Sequence, residues 1–418
     1  MDSRVYYGEY SLKHWIQMML TKNIILPEYQ RSFVWDEKDV MRLLQSIADG
    51  QFVQPVTIAL YKTDPEMPGQ NLIIDGQQRL SSILLAYLGY MPIKSRFEKP
   101  EMLASDEDDA ADEVEDGIHA KGPIKWRFSE LFENDGDNTA EGIRKRLAKD
   151  DRYAELTTGL KDQFFDKTFL GYSYIVPTTA DAKEIQRGFS QLFRDINFFG
   201  KKLSALESRR SLYYLNADLL PYLEGQTADK QDVLCGIQLM DKMQPIKIDF
   251  VRYLSIISQY SITENHNKVL VGYSASSSRE GFYADYVSYL LGLEQEDREW
   301  KFNGFSFDET FPQQCWKERY ERLREAVERL RPLFKMAEKN KDAFASWIDA
   351  DYWFFGLIYA IVFAGKTLKD DLTGIDKKIN DEIAKKKDWD YYAKSPNRLG
   401  NLRERLGRSI DIVWEYVQ

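Results

Sequence analysis

Cysteine is almost missing from this chain: Cys235 and Cys315 are the two in 418 residues. They stand far apart and form no CxxC pair. That argues against a disulfide framework or a structural zinc site and for a reducing cytosol. Histidine is equally scarce. His14, His119 and His266 are widely separated, and His266 lies between Asn265 and Asn267 with no second histidine nearby. A metal-binding histidine cluster is therefore not expected. No charged-then-apolar leader opens the chain, so secretion is not indicated and a cytoplasmic location is expected. The longest apolar run, Tyr352 to Ala364, is too short to span a bilayer and reads as a buried helix.

Apolar side chains, by contrast, are plentiful. They make up 43% of the residues, and aromatics 14%, enough for sizeable cores. The length suggests two or three domains. Net charge is −10, which on its face disfavours nucleic acid. Yet residues 101–116 carry nine acids and no base, leaving the remainder near −1. A nearly neutral body can still present a local basic groove. The acidic run itself reads as a solvated loop.

The chain is organised around Asn71 to Leu80, with the sequence NLIIDGQQRL. Leu72, Ile73 and Ile74 read as a short buried strand. Gly76 permits a sharp turn. From Arg79 onward, Leu80, Ile83, Leu84, Tyr87 and Leu88 keep helical spacing. Asp75, Gln77, Gln78 and Arg79 thus sit where a strand passes into a helix N-terminus. Backbone N–H groups and the positive dipole end there suit phosphate. Arg79 adds a planar fork of donors, and the glutamines add neutral donors and acceptors. The plain alternative is an ordinary Asp-Gly turn with no ligand.

Upstream, Ser11 caps a first helix with Leu12, Trp15, Ile16, Met19 and Leu20 on its apolar face. Ile24 to Leu26 reads as a strand ending at Pro27. Tyr29-Gln30-Arg31 follows, in a loop that also carries Phe33 and Trp35. Asp36 caps a second helix, with Val40, Leu43, Leu44 and Ile47 buried and Gly50 at its end. Phe52 to Tyr61 is expected as a strand. If the strands preceding the two polar loops are neighbours, both loops emerge on one edge. Aromatic faces and two arginines would then line a cleft suited to a nucleotide. For Tyr29, Phe33 and Trp35 the alternative is core or lid packing.

Residues from about 95 to 165 read as an insertion holding the acidic run, and Thr168 to Val176 as another strand. Ile185, Phe189, Leu192, Phe193 and Ile196 predict a helix running toward Asn197 and Gly200, a third wall for the cleft. Lys201 and Lys202 follow, and Ser204 with Glu207 forms a capping box for the next helix. The remainder reads as helical. Its stripes are Phe250, Val251, Leu254 and Ile257, then Trp316, Tyr320, Leu323, Val327 and Leu330, then a central helix from Phe344 to Phe363. Leu399 to Val417 closes the chain; its Arg403, Arg405 and Arg408 suit a solvated face better than a nucleic-acid contact.

Taken together, the proline-ended strand, Tyr29-Gln30-Arg31 with Trp35, and the strand ending in Asp75-Gly76-Gln77-Gln78-Arg79 resemble the N-terminal domain of GmrSD-type modification-dependent restriction systems. Phe193 to Asn197, Gly200 and Leu203 to Glu207 resemble that family's third motif. The resemblance covers about residues 5–220 and, loosely, the helical remainder. It implies a ParB/sulfiredoxin-like α/β domain (1–220) followed by a mainly α-helical domain (221–418), an α+β chain overall. It also implies binding and hydrolysis of an NTP (GTP or ATP) with Mg²⁺, coupled to sensing of modified phage DNA.

Carried over by position, Asp75, Gln78 and Arg79 would be catalytic. Tyr29, Gln30, Arg31, Gly76, Gln77, Asn197 and Gly200 would contact the nucleotide. Asp75 has open roles: holding Mg²⁺, orienting water, or fixing the turn through its own backbone. No cysteine lies near Asp75 to Arg79, which disfavours sulfiredoxin chemistry. The histidine scarcity disfavours an HNH nuclease within this sequence, so the nuclease half is either absent or supplied by a partner chain. The alternatives are a non-enzymatic DNA- or nucleotide-binding adaptor and a ParB-like nuclease.

Overall fold

The structure, a computed structural model, describes residues 3–26, 33–61, 70–97, 103–104, 124–133, 136–179, 181, 184–185, 188, 192, 205–213, 215–216, 218–239, 246–271, 276–293, 301–334, 343–344, 347–387 and 398–418. The chain divides into two compact units. One comprises Met1–Pro100 and Asp116–Leu215, the other Glu101–Glu115 and Asn216–Gln418.

The first unit is α/β. Its sheet contains β1 (Ser3–Ser11), β2 (Ile24–Ile25), β3 (Val56–Tyr61), β4 (Gln70–Asp75) and β5 (Phe169–Pro177). The order is β1-β5-β3-β4-β2. β1 runs antiparallel to β5 and β3 antiparallel to β4, while β3/β5 and β2/β4 are parallel, so the sheet is mixed. Helix α1 (Leu12–Leu20) begins at Ser11, whose hydroxyl accepts the His14 N–H. Helix α2 (Glu37–Ala48) begins at Asp36, which exchanges hydrogen bonds with Asp39 in a capping box. Each cap satisfies donors that would otherwise be orphaned at a helix start.

Strand β4 buries both faces. Ile73 joins the larger core with Trp15, Ile16, Leu80, Ile83, Leu84 and Trp126. Leu72 and Ile74 point the other way, to a smaller cluster with Ala59, Ile175 and Ile185. Full burial of one such side chain is worth about 1.5–3 kcal/mol. This alternation fixes the register, and with it the place where Asp75 leaves the sheet.

One strand is shorter than its sequence suggests. β3 starts at Val56, and Phe52 is 88% exposed. Pro55 supplies no N–H to a ladder, so pairing begins after it.

The second unit is mainly helical. Its helices include α4 (Phe250–Thr263), α5 (Trp316–Leu330), α6 (Trp347–Leu357) and α7 (Leu399–Trp414). α6 continues into a π-helical turn, Ile358–Phe363, while Phe344 instead lies in a two-residue strand paired with Leu239. The expected stripes on α4 and α5 are buried.

Arg405 of α7 departs from the solvated-face expectation. Arg405 is buried, and its Nε donates to Asp351 Oδ2 at 2.9 Å. Arg252 grips the same carboxylate through both Nη atoms at 2.6 and 2.8 Å, and the Tyr253 hydroxyl adds a fourth bond. Arg403 donates to the Val269 carbonyl and Arg408 to Glu382. Arg403 is half-buried, and Arg408 stays exposed while it pairs with Glu382. Among the described residues no helix is long and apolar enough to cross a membrane.

Candidate functional site at the turn from β4 to α3

Strand β4 ends at Asp75, and helix α3 (Gln77–Leu88) begins two residues later. Gly76 joins them at φ +100, a region that a side chain rarely tolerates. A Cβ there would lie 2.9 Å from Val56 Cγ2 and 3.2 Å from Arg79 Nη2. The turn therefore needs glycine for both conformation and space. Register between β3 and β4 also shifts at Thr57/Ile58, opposite Asp75. Such bulges re-aim the chain at strand ends.

Gly76 makes no side-chain cap bond, and the first turn of α3 carries no acid. The positive end of the dipole is thus not offset by a carboxylate within the helix. The neighbouring carboxylate is Asp75, at the strand end. Arg79 Nη2 donates to Asp75 Oδ2 at 2.5 Å and to the Pro55 carbonyl at 3.3 Å. This ion pair is mostly shielded from solvent on both sides. It braces the turn across one helical step, with the guanidinium facing the strand end.

Gln77 and Gln78 are both buried, 5% and 7% exposed. Gln78 Oε1 accepts the Val34 N–H at 3.0 Å. Gln77 Nε2, Arg79 Nε, Ser81 Oγ and Ser82 Oγ are buried and have no hydrogen-bond partner among the described residues. Buried polar atoms without partners are uncommon in folded proteins and cost about 1–3 kcal/mol each.

β2 and β4 are adjacent and parallel, with Ile24 opposite Asn71 and Ile25 opposite Leu72. The chain therefore leaves both strands on one edge, as the cleft requires. Of the two loops, Tyr29, Gln30 and Arg31 lie outside the described residues, as do Asn197, Gly200, Lys201, Lys202 and Ser204. The described part resumes at Phe33. Phe33 is core: it is fully buried and meets Trp126 edge-on at 5.1 Å between centroids. Trp35 packs against the same core.

Val34 and Lys94 belong to this neighbourhood and carried no sequence signal. Lys94 Nζ donates to the Val34 carbonyl at 2.7 Å, across sixty residues of chain. The lysine gave no hint because its partner is a backbone oxygen. Among the described residues no group of three or more His, Cys, Asp or Glu is placed to hold a metal ion.

Two comparisons bear on this geometry. Over 178 residues the chain is 25% identical to the uncharacterized protein MJ0686 of Methanocaldococcus jannaschii, a match covering 36% of this chain and 27% of that protein. The chain thus spans about a quarter of that relative's length. The family model described as "GmrSD restriction endonuclease, N-terminal domain" matches residues 12–214. That span runs from α1 through the β4–α3 turn to β5 and beyond, and over it the chain matches the family of GmrSD restriction endonuclease N-terminal domains.

Proposed function

We propose that this chain binds a nucleoside triphosphate, GTP or ATP, at the N-terminus of α3 and hydrolyses it. On this reading it is the sensor subunit of a restriction-like phage-defence system, responding to modified DNA, with a partner chain supplying the nuclease. The first unit is then a ParB/sulfiredoxin-like domain. The observation that carries the reading is the junction itself. A glycine-only turn delivers an α-helix whose first turn has no acidic residue, with Arg79 and buried, unpartnered Gln77 Nε2 beside it. The family match over residues 12–214 supports a restriction-system setting.

Phosphoryl transfer needs positioning and neutralisation of charge on the phosphate oxygens. Backbone N–H groups of the first turn would hold those oxygens. Arg79 would release Asp75 and turn its fork onto phosphate, with Arg31 opposite. Mg²⁺ usually takes one or two carboxylates plus substrate phosphates, and Asp75 is the carboxylate of this turn. Bound there, the ion would neutralise phosphate charge. Tyr29 and Gln30 would contact the nucleoside, with Asn197 and Gly200 closing the third wall.

The Asp75–Arg79 pair favours one other reading, a nucleotide- or DNA-binding adaptor without turnover. In that case the ion pair simply braces the strand to the helix. The test is phosphate release from purified protein with each NTP and Mg²⁺, with and without modified DNA. Release that rises with DNA and is lost in a folded Arg79→Ala variant supports the sensor. Release unaffected by Arg79→Ala sinks the proposed chemistry. Binding without release, with an affinity falling steeply with salt, favours the adaptor.

A further inference from the structure

Val34 is held at both of its backbone groups by side chains from elsewhere in the fold. Gln78 Oε1 takes its N–H at 3.0 Å, and Lys94 Nζ donates to its carbonyl at 2.7 Å. Gln78 is the second residue of α3, inside the five-residue motif. Lys94 lies in a short 3₁₀ turn beyond the C-terminus of the same helix. On one side of Val34, Phe33 is pinned into the core by backbone bonds with Trp126 and Ile124. On the other, the Asp36 capping box starts α2. Arg31 precedes Val34 by three residues in sequence.

The Val34 N–H takes one lone pair of the Gln78 amide oxygen and so fixes the orientation of that buried side chain. We infer that Gln78 is a positioning residue and not a catalytic one, and that Lys94 shares its task. The two form a clamp on the Val34 backbone that ties it to the first turn of α3. The nucleotide site proposed above is the reason this matters, and the inference about positioning rests on that reading. The clamp does not.

Two consequences follow from the geometry. Loss of the clamp frees the Val34 backbone from the first turn of α3 before binding, so the affinity for nucleotide falls first. The chemistry at the phosphate, which on this account uses Arg79 and Asp75, changes little once ligand is bound. A group acting on the reacting phosphate would show the reverse split.

The experiment measures amide exchange at Val34 in the full chain, together with NTP turnover, for wild type, Gln78→Met and Lys94→Met. Methionine keeps the length of each side chain and removes the polar end. The expected result is a Val34 amide protected in wild type and exchanging about tenfold faster in Gln78→Met, the size set by one lost hydrogen bond. Lys94→Met should loosen the same peptide through its carbonyl, while protection within α3 stays unchanged in both. KM should rise several-fold with kcat held within about twofold.

Exchange at Val34 unchanged in both variants would overturn the clamp. Faster exchange with kcat collapsed and KM unchanged would overturn the positioning role and return Gln78 to the chemistry. If wild type neither binds nor turns over any NTP, the nucleotide reading fails, and the exchange rates still decide the clamp on their own. Should Gln78→Met fail to fold, Lys94→Met carries the same two readouts.

Discussion

Replacing Gly76 with alanine is the sharpest test of how the β4–α3 turn is built. Two costs add. The backbone stands at φ +100, where a Cβ crowds its own chain, for about 1–2 kcal/mol. The new methyl also falls 2.9 Å from Val56 Cγ2 and 3.1 Å from Val56 Cγ1, inside a packed core, and overpacking of that kind costs about 1–3 kcal/mol. The expected destabilisation is about 2–5 kcal/mol. Gly50 supplies the control. It also has positive φ, +65, yet nothing lies within 4 Å of where its Cβ would stand. Gly50→Ala therefore carries the conformational cost with no steric one, about 1 kcal/mol. The assay is chemical denaturation of both variants beside wild type, followed by tryptophan fluorescence. Gly76→Ala should be the worse of the two by about 1–3 kcal/mol. Equal losses would refute the steric argument, and a loss below about 0.5 kcal/mol at Gly76 would refute the backbone argument too.

Three further outcomes follow from the second unit and the turn. Asp351→Ala leaves Arg252 and Arg405 buried without their shared carboxylate and should cost about 3–5 kcal/mol, read as loss of the cooperative melt of the helical unit. Glu382 is held down to about 2, chiefly by its hydrogen bond from Arg408 and also by Lys385. A depressed carboxyl stabilises the fold fully above its unfolded value and loses that contribution as pH falls toward the folded one. The advantage of wild type over Glu382→Gln should therefore be flat above about pH 4.5 and shrink from there toward pH 2; a gap independent of pH across that window contradicts the assignment. Asp75→Asn removes a mostly shielded ion pair and should lower stability by about 1 kcal/mol in thermal melts, a loss that high salt reduces little.

Local signals in the sequence carried far. Ser11 and Asp36 announce their helices because a short polar side chain before an apolar stripe has few other uses. The strand-turn-helix at Asp75 was legible for the same reason: a two-faced apolar triplet, a glycine and a helical stripe follow one another without a gap. Long-range pairing was not legible. Nothing in Phe169 to Pro177 says that this strand inserts between β1 and β3. The bond from Val34 to Gln78 spans 44 residues and uses a backbone donor, which every residue but proline has. Arg405 misled for a different reason. A charged residue on a helix is usually solvated, and here the carboxylate of Asp351, on α6, offsets the cost of its burial.

The pairing of β1 with β5 has a consequence for how the chain is made. Ser3 to Ser11 is synthesised well before its hydrogen-bonding partners, Phe169 to Pro177. At a synthesis rate of about 5–20 residues per second, the first strand waits roughly 8–30 seconds for its neighbour. Val5, Tyr6 and Tyr7 remain exposed even in the finished fold, Tyr7 at 78%. In the nascent chain they form an unpaired apolar ribbon with no sheet to join, the kind of segment that chaperones shield. A chain cut short before residue 177 keeps that ribbon for good, so the yield of such fragments depends on the first strand rather than on the site.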